Sequence, residues 1–354
     1  MNKRNAVVAV ASVLLIAVVA VAVLLPVPYV TVRPGPTRDV LAMGVGKQVI
    51  SIDGRKTYPT EGSLRLTTVS VTSPGDSVGI AEVVRAWIAN DEAVIPRDAI
   101  YPPSKGAEES EQESATQMAD SQDVAAAAAL RLLGEDVTEH AVVAAVSDGA
   151  PADGVLKVDD VIVGVDGTRT ATAADTVAAI RDRSIGDTVQ LTIKRGDQQQ
   201  RVRLATTGLE NPETGKRFPA VGISPGVAYD LPIDVQITLS GGIGGPSAGT
   251  IFALAIYDEL TPGALTGGIS VAGTGEVSAD GAVGPIGGVQ QKVVGAAEAG
   301  ASIFLVPAAN CTEALGADVS PGDITLVRVE DLGSAVKSLE ALADDSAAEV
   351  PTCR

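Results

Sequence analysis

From Ala6 to Leu25 the chain runs apolar for twenty residues without a charge. As a helix rising 1.5 Å per residue, that run is about 30 Å long, the thickness of a bilayer's hydrocarbon core. Pro26 and Pro28 follow and stop it, because proline lacks the amide hydrogen and its ring clashes with the preceding turn. Lys3 and Arg4 stand before the run and place the N-terminus on the cytoplasmic side. Residues 1–28 therefore read as a cytoplasmic N-terminus and a single-pass transmembrane anchor in the cell membrane, with the bulk of the chain extracytoplasmic. A cleaved signal peptide is the competing reading. Its apolar core is usually about 7–15 residues, and here Ala20-Val21-Ala22 lies inside a longer run.

Beyond Tyr29 the period changes. Residues 29–32, 49–52 and 64–71 alternate with period two, as half-buried strands do, so residues 29–110 predict a β-rich N-terminal module. Residues 104–123 are polar and acidic and lead into the alanine run 125–129. Residues 111–134 predict a helical connector that becomes buried near Leu130 and stops at Gly134. A disordered linker is the alternative for the first half of the acidic stretch. Residues 135–210 predict strands at 141–146 and 161–165, a helix at 173–183, and a hairpin of 188–194 with 201–205. Residues 220–345 predict a mixed α/β domain: a strand at 233–239, a glycine-rich turn, a helix at 247–260 and another at 289–299. The fold class is α+β and multidomain.

A formal net charge of -18 argues against nucleic acid, since phosphates need a basic surface. It equally disfavours a polybasic grip on lipid, and solubility is its plain reading. Two cysteines and one histidine cannot build a usual structural zinc site, so no metal is expected. In an outward-facing domain Cys311 and Cys353 read as one disulfide tying the C-terminal tail to the Asn310-Cys311 loop, with two free thiols as the alternative. The lone histidine, His140, precedes a strand and reads as a strand-edge residue.

Candidate chemistry centres on Ser247, in the run Gly244-Gly245-Pro246-Ser247-Ala248-Gly249 between a strand and a helix. Free backbone N–H groups and the positive end of the helix dipole converge there, which suits an oxyanion formed in acyl transfer. A Ser-His-Asp site would have to use His140, whereas a serine activated by lysine needs no imidazole. Lys292, at the end of Pro285-Ile286-Gly287-Gly288-Val289-Gln290-Gln291-Lys292, is the candidate base. A helix N-cap is the plain alternative for Ser247, and an ordinary surface lysine for Lys292. Neither this turn nor Gly44-Val45-Gly46-Lys47 fits the phosphate-cradling Gly-x-x-x-x-Gly-Lys-Ser/Thr pattern. Gly-x-Ser-x-Gly is not matched either, and no histidine follows the serine.

Two family resemblances stand on these residues. Gly149-Ala150-Pro151-Ala152, Gly154-Val155-Leu156-Lys157, Asp160-Val161-Ile162 and Val165-Asp166-Gly167 resemble a PDZ domain of the bacterial protease type. Asp159 departs from it where such domains commonly carry glycine. The resemblance implies peptide capture by strand addition at a sheet edge, with Leu133-Gly134-Glu135 as the expected carboxylate-binding loop. Gly245-Pro246-Ser247-Ala248-Gly249, Thr274-Gly275-Glu276-Val277, Gly281-Ala282-Val283-Gly284-Pro285-Ile286-Gly287-Gly288, Lys292, and Pro307-Ala308-Ala309-Asn310 resemble the Lon-type peptidase domain. With the N-terminal run and the PDZ blocks, the chain resembles the membrane-anchored, PDZ-containing Lon-like peptidases of Gram-positive bacteria.

That resemblance implies Ser247 as nucleophile, Lys292 as general base and Thr274 as the residue orienting the lysine. Gly244, Gly245, Pro246 and Ala248 form the oxyanion turn; many Lon peptidases carry aspartate where Gly244 stands. It further implies no cofactor, peptides or unfolded segments as substrates, hydrolysis without ATP, and a homo-oligomer. An inert peptide-binding scaffold at the membrane and a protein that processes only itself are the competing functions.

Overall fold

The computed structural model describes residues 3–43, 48–103, 105–211, 214–239, 241–320 and 322–354. The Gly44-Val45-Gly46-Lys47 run and Ser240 lie outside the described residues. The chain forms two compact units: Met1–Gly134 with Ile233–Arg354, and Glu135–Pro232.

The N-terminal run is helical, α1 (Lys3–Leu24), with Val10, Val13, Leu14, Leu15 and Ile16 exposed; the side chains of residues 18–24 lie outside the described residues. Among the described residues no helix is long and apolar enough to cross a membrane. This corrects the expected transmembrane anchor, and with it the single-pass, extracytoplasmic placement built on it.

The first unit continues with β1 (Tyr29–Pro34), β2 (Arg38–Asp39), β3 (Ser63–Leu66) and β4 (Val69–Val71). The single strand expected over 64–71 breaks between β3 and β4. There Thr67 Oγ1 donates to the Gly273 carbonyl at 3.1 Å and Thr68 Oγ1 to the Pro36 carbonyl at 2.8 Å. The acidic stretch is ordered helix, α2 (Ala107–Leu132), with Glu108 and Glu109 at its positive dipole end and its alanine run buried. Gly134, at φ 82°, closes it by donating to the Arg131 carbonyl at 2.9 Å. Leu133 and Gly134, the first two residues of the expected carboxylate-binding loop, form the end of this helix.

The second unit comprises β5 (Thr138–Val146), β6 (Val161–Val165), α3 (Ala173–Arg181), β7 (Thr188–Arg195), β8 (Gln198–Ala205) and β9 (Ile223–Asp230). The sheet order is β8-β7-β6-β5-β9, all neighbours antiparallel. Val189, Leu191 and Ile193 alternate into a core shared with Ala141, Val143, Ile162 and Ile180 of α3. Asp159 adopts φ 68°, the left-handed conformation that glycine supplies without strain, which accounts for the glycine expected at its position. Asp160 is buried under a bidentate pair with Arg195, both contacts 2.6 Å, and that guanidinium holds its carboxyl below the usual range.

The chain then returns to the first unit with α4 (Gly249–Leu260), β10 (Ser270–Gly273), α5 (Val289–Glu298), β11 (Ile303–Pro307), β12 (Thr325–Val329) and α6 (Leu332–Asp344). One sheet, β12-β11-β10-β3-β2, contains four parallel strands, with β2 antiparallel at the edge. All five residues of β11 are buried, as a strand covered on both faces requires. Because β3 completes this sheet and residues 50–53 pair with 234–237, residues 29–110 belong to the same unit as the C-terminal segment. Leu66 and Gly273 end adjacent parallel strands, and the crevice beyond such carboxyl ends is where open α/β sheets hold ligands.

Candidate active site

The loop before α4 bends through left-handed glycines: Gly241 at φ 98°, Gly242 at 63° and Gly245 at 83°. It delivers Ser247 just outside α4, whose N-cap is Ala248. The serine hydroxyl is therefore not spent on capping. Its partner is Lys292, on the first turn of α5, with Nζ 2.8 Å from Ser247 Oγ. The same Nζ donates to Thr274 Oγ1 at 3.1 Å. Thr274 directly follows β10, is fully buried, and donates its own proton to the Ser247 carbonyl at 3.0 Å.

Lys292 is 3% exposed. Burial pushes its pKa down from 10.5 to about 8, against an opposing pull from Glu276. At pH 7 roughly one molecule in ten then carries a neutral amine, against one in a few thousand for a free lysine. In the neutral form one N–H stays on Thr274 and the lone pair faces Ser247, ready to accept the hydroxyl proton.

The pair opens onto a cleft of about 320 Å³. Leu66, Val69, Met118 and Ile243 supply its apolar wall, and the backbone of residues 241–244 its rim. Lys292 is the only charged side chain lining it among the described residues. A larger concavity of about 730 Å³ lies on the polar face of the second unit's sheet. His140 borders it, with Nε2 2.7 Å from Asp230 Oδ2 across the β5–β9 pair.

The remaining singled-out residues shape the surroundings. Gly244 faces Ser114 of α2: a Cβ there would overlap Ser114 Oγ and lie 3.1 Å from Ser114 Cβ, so a side chain at 244 requires the Ser114 hydroxyl to turn away and the helix to give slightly. Gly245 N donates to the Ser114 carbonyl at 3.0 Å, and Ser121 Oγ donates to the Pro246 carbonyl at 3.0 Å. The N–H groups of Ser247 and Ala248 meet no acceptor among the described residues. Asn310 holds Ile286 on both sides, accepting from its N–H and donating to its carbonyl at 2.9 Å each, which steadies the loop leading into α5. Next to it Cys311 is disulfide-bonded to Cys353, with Cα atoms 5.1 Å apart. No group of three or more His, Cys, Asp or Glu that could hold a metal occurs among the described residues.

Sequence reasoning missed two features. Ser114, Met118 and Ser121 of α2 reach the site; their spacing of four and three residues, one helix face within an acidic stretch, was the available signal. In the second unit, a groove of about 240 Å³ runs between α3 and β9, lined by Val177, Ile180, Phe218, Val221, Ile223 and Pro225 among others. β9 is the terminal strand of its sheet, so its outer edge is unpaired within it. Gly222, at φ 81°, immediately precedes β9.

Residues 221–339 match the Lon protease (S16) C-terminal proteolytic domain, and residues 117–206 match the PDZ domain. A Lon protease of Phenylobacterium zucineum is 36% identical over 97 residues, 27% of this chain and 12% of that protein. Lon protease 1 of Herpetosiphon aurantiacus is 36% identical over 137 residues, 37% of this chain and 16% of that protein. The chain thus spans well under a quarter of the length of these relatives. The PDZ domain of an SdrC-like protein from Listeria monocytogenes is 27% identical over 24% of this chain and 86% of its own, with a TM-score of 0.22. The chain carries a protease-type proteolytic domain together with a PDZ domain.

Proposed function

We propose that this chain is a serine endopeptidase in which Ser247 is the nucleophile, Lys292 the general base and Thr274 the group that orients the lysine. The observation that carries this reading is a 3%-exposed lysine whose Nζ lies 2.8 Å from a serine hydroxyl not used for helix capping. Neutral Lys292 accepts the Ser247 proton as Oγ adds to the peptide carbonyl, and returns it to the departing amine. Water then enters by the same route and hydrolyses the acyl-enzyme. Neither step consumes a nucleotide, so hydrolysis proceeds without ATP.

The substrate is an extended polypeptide. A cleft of about 320 Å³, walled by the turn after Leu66 and the loop 241–244, admits a single extended strand and not a packed domain. Flexible or unfolded segments are therefore cut and folded proteins spared. The groove along β9 and α3 captures a second extended segment by strand addition, with Val177, Ile180 and Ile223 receiving its apolar side chains.

The test is cleavage of an unfolded protein by the purified chain without nucleotide, beside Ser247→Ala and Lys292→Ala, with products identified by mass spectrometry. Cleavage abolished in both variants is expected. Cleavage that survives Ser247→Ala would falsify the mechanism.

A further inference from the structure

Within a helix, a serine or threonine hydroxyl can bond the carbonyl four residues back. Thr116 of α2 does so, donating to the Gln112 carbonyl at 3.0 Å. Ser121, on the same helix and 6% exposed, does not. Its hydroxyl crosses to the Pro246 carbonyl, 125 residues away in sequence, at 3.0 Å. Gly249 leaves the space for this contact, since a Cβ there would sit 3.0 Å from Ser121 Oγ and 2.9 Å from Val277 Cγ1.

The consequence lies at the other end of the same peptide unit. The Pro246–Ser247 peptide is trans, so its carbonyl and the Ser247 N–H point in opposite directions. With the carbonyl held on α2, the N–H is turned away from α2. That N–H meets no acceptor among the described residues, and Ser247 lines the cleft. The preceding turn is pinned from the same helix face by the Gly245 N–H on the Ser114 carbonyl at 3.0 Å. Ser114 and Ser121 are two helical turns apart, so α2 grips the nucleophile loop at two points.

We infer that Ser121 is a positioning residue for the oxyanion site: it holds the Pro246–Ser247 peptide so that the Ser247 N–H donates to the oxygen that becomes negative. This rests on the peptidase reading. In the step it serves, Ser247 Oγ bonds the peptide carbonyl carbon, its proton passes to Lys292 Nζ, and the C=O π pair moves onto oxygen. Collapse of that oxyanion expels the amine, which takes the proton from Lys292.

The experiment compares the full chain with Ser121→Ala, Ser121→Thr, Ser121→Cys and Ser247→Ala on one cleaved peptide. It measures kcat, KM, the pH profile and the affinity of a matching peptide aldehyde, whose hemiacetal oxygen mimics the oxyanion. Ser121→Ala should lower kcat roughly 10- to 100-fold with KM changed less than about twofold, because the donor acts on the transition state. Aldehyde affinity should fall in parallel, the pH midpoint should stay, and threonine should restore most of the rate. Cysteine keeps the volume with a weaker donor and should fall between, which separates positioning from a loss of fold; circular dichroism and melting run on each variant. An unchanged kcat, a loss confined to KM, or unchanged aldehyde affinity overturns the positioning role alone. Absence of Ser247-dependent cleavage in the unsubstituted chain overturns the peptidase reading and this inference with it.

Discussion

Thr274 donates its hydroxyl proton to the carbonyl of Ser247 at 3.0 Å, which leaves only its lone pairs for Lys292 Nζ at 3.1 Å. The threonine thus ties the serine's backbone and the lysine's amine to one buried atom. Replacing it with valine should remove both ties while preserving shape, lowering kcat roughly 10- to 100-fold. Serine at 274 should keep most of the rate. Equal losses for valine and serine would mean that the methyl packing matters and the hydroxyl does not.

Because burial lowers the Lys292 pKa to about 8, kcat/KM should rise close to tenfold per pH unit below pH 8 and level off above it. Lys292→Arg should be inactive across this range, since a guanidinium does not deprotonate there. A rate independent of pH between 6 and 8 would remove Lys292 as the base.

The same burial has a sign for stability. Between pH 8 and 10.5 the unfolded chain binds the lysine proton and the folded chain has released it. Folding is therefore favoured by raising pH across that window, and the buried amine opposes it most below pH 8. Lys292→Met should raise stability at pH 7 by roughly 1–3 kcal/mol and lose that advantage near pH 10.5. Denaturant midpoints at the two pH values decide this.

Gly244 and Ser114 are coupled by space. Gly244→Asp, although it creates the residue many Lon peptidases carry, should displace the nucleophile loop and cost roughly 100-fold in kcat/KM. Combining Gly244→Ala with Ser114→Gly should recover much more activity than Gly244→Ala alone. Simple additivity of the two changes would refute the contact.

The Cys311–Cys353 disulfide closes a separation of 42 residues. Cys353→Ser should lower stability by roughly 2–4 kcal/mol. Cys311 adjoins Asn310, which holds Ile286 before α5, so activity should fall at temperatures below the melting transition. Loss of stability without any loss of activity at low temperature would place the disulfide outside the site's support.

Much was legible because the signals are local. The glycine-rich turn before an apolar helix, the lysine early in α5, the period-two strands of residues 135–210 and the stop at Gly134 depend on dihedral preferences and side-chain spacing over a few residues. The departure at Asp159 was legible as a departure, and its φ of 68° shows why glycine suits that position. Nothing local in Ser63–Leu66 records that it will pair with Ser270–Gly273, more than two hundred residues on. The apolar N-terminal run likewise predicts helix correctly and a bilayer span that the described residues do not bear out.

What the sequence determined by itself was the chemistry on offer: a serine at a glycine-rich turn, a lysine on a following helix, and one distant histidine. Only the tertiary structure decided how those groups behave. It brought Nζ to 2.8 Å from Oγ, buried the amine to 3% exposure and ran α2 beneath the loop so that Ser121 reaches Pro246. Propensity and turn chemistry act over neighbouring residues, whereas desolvation and long-range hydrogen bonds depend on which distant segments fill the space around a side chain.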